Sequence, residues 1–85
     1  MTEDELLRNW RNYAVEFWED GSELLLRNVF SICWRTADGL LFDNGKGEGG
    51  GRATFLKCDE NGFCYNKIAK DGKWRLVGKF IRVED

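Results

Sequence analysis

Side chains able to do chemistry are few in this chain, and the one most used near neutral pH is missing: none of the 85 residues is histidine. That removes the unperturbed proton shuttle and every nucleophile–histidine pairing. Cys33, Cys58 and Cys64 form no CxxC pair, so a zinc site here would need a carboxylate as its fourth ligand. Cysteine is among the most buried residue types, and core packing is the expectation for all three. Asp59 and Glu60 lie in a turn-like stretch, where nothing desolvates a carboxylate and prepares it for acid–base work. These residues predict no enzyme, no catalytic residue, no metal and no cofactor.

Binding chemistry is better represented. The chain has four tryptophans and six phenylalanines, more than so small a core readily hides, and exposed aromatics anchor binding surfaces. Trp18, beside a turn signal, and Trp34, near a strand end, are the candidate anchors for a protein partner. Residues 44–51 read NGKGEGGG, the one low-complexity segment. A phosphate loop needs amides converging on a helix N-terminus, with Lys followed by Ser or Thr. Lys46 is followed by glycine and the loop by a strand pattern, so a connection between strands is expected. A function for it rests on ordering against a partner through Lys46, Glu48 and Arg52.

Charge is unevenly spread although the total is only −2. Residues 1–23 carry seven acids against two bases, and residues 48–85 carry eight bases against six acids. The basic end is far from the field of a dedicated nucleic-acid binder. Lys70, Lys73, Arg75 and Lys79, with Lys57, Lys67 and Arg82, still stand beside Tyr65 and Trp74. That combination of cations and rings is what a single-strand groove with stacking platforms requires.

The elements that must position these residues follow from spacing. Thr2 with Glu5 three positions on forms a capping box, and Glu3, Asp4 and Glu5 favour the positive end of a helix dipole. Leu6, Leu7, Trp10, Tyr13, Ala14, Phe17 and Trp18 recur at three- and four-residue spacing, and Asp20-Gly21 is a stop signal. The pattern predicts a helix over 3–19. Residues 22–36 fit both an alternating strand and a helical stripe; their β-branched and aromatic content favours a strand over 24–35, returning after Asp38-Gly39 to a partner at 40–43.

Residues 52–83 read as a three-stranded meander with turns at Asp59–Gly62 and Asp71-Gly72, because glycine supplies the positive φ both need. A four-residue first loop and a two-residue second one pair Cys58 with Phe63, Leu56 with Tyr65, Lys67 with Leu76 and Ala69 with Trp74. One face then carries Leu56, Cys58, Phe63, Tyr65, Trp74, Leu76 and Phe80; the other carries Phe55, Lys57, Cys64, Asn66, Ile68, Arg75, Val77 and Lys79. In this register Trp74 is buried against the N-terminal helix, and a three-residue second loop would move Ile68 onto the Trp74 face. Cys58 and Cys64 point to opposite faces, and three is an odd count, so a reducing cytosol is expected rather than a disulfide framework.

The closing segment KDGKWRLVGKFIRV is similar to the last hairpin of nuclear-transport-factor-like and cystatin-like domains. What the resemblance implies, over residues 70–83 alone, is a helix wrapped by a curved antiparallel sheet. Length and composition, 42% hydrophobic and 33% charged, predict a single domain over residues 1–85. The expected fold class is α+β, an N-terminal helix on a curved antiparallel sheet of four or five strands. The expected role is a cytoplasmic, non-enzymatic protein-binding module, monomer or homodimer, without membrane contact. An inhibitor that occludes a partner's surface fits this class of small acidic chain, phage proteins directed at host defence enzymes included. The alternatives are a single-stranded nucleic-acid binder and, third, a small-ligand pocket under the helix.

Overall fold

Thr2 has extended backbone and its hydroxyl accepts the Glu5 amide at 3.1 Å, so the N-terminal helix starts at the expected cap. The computed structural model describes residues 1–45, 53–67 and 71–83. The helix, α1 (Glu3–Asn9), is far shorter than 3–19; a single 3₁₀ turn (Trp10–Asn12) ends it and the chain enters β1 (Tyr13–Phe17). The apolar stripe is two patterns laid end to end. Leu6 and Trp10 are spaced for a helix, whereas Tyr13, Val15 and Phe17 alternate, and pairing on both sides of β1 rewards extension over helix. Asp20-Gly21 is therefore not a helix stop but a turn into β2 (Glu23–Leu25), closed by the Gly21 amide on Phe17 O at 2.9 Å.

The second region also divides. After β2 comes one helical turn, α2 (Leu26–Val29), then β3 (Ile32–Thr36) and β4 (Gly39–Asp43). Both signals read in residues 22–36 are present, one after the other, in place of a single strand over 24–35. The Asp38-Gly39 return holds, with Gly39 at φ 110° and the Thr36 hydroxyl donating to Gly39 O at 2.8 Å. The meander follows as β5 (Ala53–Cys58), β6 (Phe63–Lys67) and β7 (Trp74–Arg82).

These strands form one antiparallel sheet of seven, not four or five, in the order β2-β1-β7-β6-β5-β4-β3. Its two edges, β2 and β3, are neighbours in sequence and are joined through α2. The sheet is curled: Val15 of β1, Phe80 of β7, Cys64 of β6, Leu56 of β5 and Phe42 of β4 share one core cluster, although a flat sheet would set β1 and β4 ~19 Å apart. Phe42 is fully buried, with the rings of Trp10 at 5.7 Å and Phe30 at 5.6 Å. The ends of both helical segments thus converge on one strand residue. Arg35 of β3 pairs with Glu3 at 2.8 Å and with Asp4, tying α1 to the edge. The helix covers one side of the concave face rather than being wrapped by the sheet.

The meander's strands are where expected, but its register is not. Cys58 pairs with Cys64 and Leu56 with Asn66, so the turn spans five residues rather than four. Asp59 builds it: Oδ1 accepts the amides of Asn61 at 2.9 Å and Phe63 at 3.0 Å, and Gly62 sits at φ 83°. The extra residue reverses β6. Cys64 and Asn66 face inward, and Phe63 and Tyr65 outward. On β7, Cys64 pairs with Gly78 but Tyr65 with Leu76, leaving Val77 as a bulge. Lys67 then opposes Trp74 rather than Leu76, the partner that a two-residue Asp71-Gly72 loop gives it; residues 68–70, Ile68 among them, lie outside the described residues. Trp74 is half-buried on the outer face, not against α1, with Cη2 3.2 Å from where a Cβ on Gly39 would be.

Candidate functional site: the outer face of the sheet

Alternation places one set of side chains on the convex side of β3–β7. The ladder pairs Trp34 with Leu41, Leu41 with Phe55, and Lys67 with Trp74; the next outward row pairs Lys57 with Tyr65 and Tyr65 with Leu76. Large apolar groups remain in water along this band. Ile32 is 45% exposed, Trp34 41% and Leu76 45%. Leu41, Phe55 and Lys67 line a shallow depression of ≈ 380 Å³.

Lysines lie over the rings. The Lys57 ammonium is 4.5 Å from the Trp74 ring centre and 5.8 Å from that of Tyr65, and Lys67 is 5.7 Å from Phe55. These are cation–π distances, which hold a charge above an apolar surface without burying it. Lys67 also meets Asp38 at 3.3 Å. The Tyr65 hydroxyl donates to Asp59 Oδ2 at 3.0 Å. That hydrogen bond, with burial and the charge of Asp59 behind it, pushes the phenol pKa up.

Trp18 is 50% exposed and stacks edge-on against Phe63 at 5.4 Å. With Leu76 and Arg75 it lines a groove of ≈ 310 Å³. Trp18 and Trp34 do not meet: they stand at opposite ends of the band, five strand positions apart in the sheet order. Leu76 and Tyr65 connect them. Lys46, Glu48 and Arg52 lie outside the described residues, as does Lys70. The other basic candidates do not form one line. Lys79 opposes Glu16 across the β1–β7 ladder on the outer face, Arg75 shares the register of inward-facing Asn66, and Lys73 lies in the turn, its amide on Asp71 Oδ1 at 2.9 Å.

The sequence register places Tyr65, Trp74 and Leu76 on the core face; the single-strand alternative alone uses Tyr65 and Trp74 as surface rings, and Leu76 is missed. The signal was present: Phe55, Lys57, Tyr65 and Lys67 share one parity once the Asp59 turn is given five residues. Cys58 and Cys64 face the same way, directly opposite each other, contrary to the sequence register. Burial pushes the Cys64 thiol up to about 12, with the neighbouring Cys58 adding to it. Burial also raises Cys33 to about 12, although Arg11 opposes the shift and Glu3 supports it. For an acid whose folded pKa is raised, the native state holds more protons than the unfolded chain above the unfolded value, so stability falls as pH rises. The melting temperature is expected to be flat between about pH 5 and pH 9, to fall on the acid side as the lowered carboxyls of Asp4, Asp20 and Asp59 take up protons, and to drop between pH 9 and about 12. Cys64→Ala should make the drop shallower; an equal slope in both proteins would show that this thiol ionises freely in the fold.

Among the described residues no three or more His, Cys, Asp or Glu side chains gather where a metal ion would sit. No helix of the described residues is long and apolar enough to cross a membrane. Comparison with protein families, with curated proteins and with solved structures finds no match.

Proposed function

We propose that the chain is a non-enzymatic protein-binding module that covers a partner's surface with the outer face of β3–β7. The observation that carries the reading is the placement of its exposed apolar groups. Trp18, Ile32, Trp34 and Leu76 are each 41–50% exposed on the convex side, while the buried core cluster lies on the concave side. Large apolar groups left together in water on a small domain mark an interaction surface. Lys57 and Lys67 sit on the same band, so the fitting partner presents apolar side chains flanked by carboxylates. Inhibition by occlusion is the mode of action this geometry fits.

The test is subtractive. Wild type and Leu76→Glu are used as baits, and a protein held by the first and lost by the second is then titrated against both. Trp34→Ala should weaken that complex about 30-fold, the value of a hot-spot residue, with melting changed by only a few degrees. Identical retention by both baits would overturn the proposal.

One observation favours a second reading. Lys57 above Trp74 and Tyr65 pairs a cation with two rings, as single-strand binding requires. Oligonucleotide affinity should then fall steeply with salt and drop in a Lys57→Ala, Lys67→Ala double variant. No gel shift at low salt would remove it.

A further inference from the structure

Inside the curl, on the opposite face from the exposed band, is a cavity of ≈ 240 Å³. Its inner wall is Val15, Phe30 and Leu56, all nearly inaccessible, and Leu24 and Val77 stand toward its rim. The lining has no ionisable side chain. An engineered cavity of about 150 Å³ with Leu, Ile and Phe walls stays dry and binds benzene, so this one has room for a body of that size and a head group.

One polar pair interrupts the apolar lining. Asn66 Nδ2 donates to Thr54 Oγ1 at 2.7 Å and to Phe55 O at 3.0 Å. A carbonyl only accepts, so the amide is oriented with its nitrogen there and both of its hydrogens are used. Asn66 Oδ1 remains as an acceptor, with no donor to it among the described residues, and the Thr54 hydroxyl keeps its own hydrogen to donate. The pair therefore offers one acceptor and one donor side by side on the wall of an apolar space.

We propose that this cavity binds a small neutral molecule with an apolar body and a single amide or hydroxyl head held by Asn66 and Thr54. A primary amide matches both groups at once, donating to Asn66 Oδ1 and accepting from Thr54. An ionised head is rejected, since no counter-charge lines the space and burying an unpaired charge is costly. An apolar wall with a few convergent polar groups is the usual build of a small-molecule site. The inference is independent of the outer face, which lies on the other side of the sheet.

The probes are hexanamide, hexanoate and toluene, titrated into isotopically labelled protein and followed by amide and side-chain NH₂ shifts. Hexanamide is expected to saturate with a Kd of about 1 mM or tighter, moving Val15, Leu56 and the Asn66 side-chain NH₂. Hexanoate at neutral pH should bind at least about tenfold weaker, and Asn66→Leu should abolish the preference for hexanamide over toluene. Val77→Phe and Leu24→Trp, which fill the mouth, should remove the saturable shifts. If Leu24→Trp does not fold, Val77→Phe at the half-buried β7 bulge decides. The proposal is overturned if hexanamide shows no saturation, if saturation survives the mouth-filling variant, or if hexanoate binds as tightly. Leu76→Glu should leave hexanamide affinity unchanged, which keeps failure here distinct from failure of the outer-face reading.

Discussion

Gly78→Ala is expected to lower the melting temperature by ~10–20 °C. Gly78 is buried in β7, opposite Phe17 of β1 and Cys64 of β6. A Cβ there would lie 1.9 Å from Glu16 O and 3.2 Å from Phe17 Cα. Both neighbours are backbone, so no rotamer change relieves the clash and β1 itself must move. Among the described residues β2 pairs only with β1, so both strands loosen together. Overpacking of this kind costs about 1–3 kcal/mol or more. A domain near the low end of the usual 5–15 kcal/mol total loses ~4–8 °C per kcal/mol. Gly21→Ala is the control: nothing lies within 4 Å of its Cβ, but its φ of +72° costs an L-residue about 1–2 kcal/mol. A Gly78→Ala protein melting within ~3 °C of wild type would show that β1 and β7 do not approach so closely.

Phe42→Ala should cost about 3–5 kcal/mol and leave little folded protein at 37 °C. Its ring is fully buried between Trp10 and Phe30, and removing it opens a space that three separate elements line. Trp74→Ala, the larger truncation by volume, should cost only about 1–2 kcal/mol. Its ring is half-buried on the outer face, under Lys57 and over Gly39. Denaturant midpoints rank the two directly. A greater loss at Trp74 would place the core on the other face of the sheet and undo the outer-face reading of function.

Local chemistry was legible residue by residue. Gly21, Gly39, Gly62 and Gly72 all have positive φ, and each follows an acid or amide in a stretch that reads as a turn. The Thr2 cap and the strands at 40–43, 53–58 and 63–67 follow from such short-range signals. Trp18 and Trp34 were singled out as surface aromatics from their positions near element ends, and both are exposed.

What the chain could not reveal alone is parity and curvature. Which face a strand shows depends on whether its turn has four residues or five, and here the Asp59 carboxylate closing on Phe63 decides it. The Val77 bulge adds a second offset on β7. Together these put Tyr65 and Trp74 beside Lys57 outside, and Asn66 beside Thr54 inside. α1 stops at Asn9 because Tyr13–Phe17 gain a ladder with β7, more than 60 residues away in the chain, a partner no window of sequence contains. The cavity exists only because the seven strands curl until β1 and β2 face β5 and β6. Short-range backbone preferences live in the sequence; the sides they present, and the space they enclose, are set by long-range pairing.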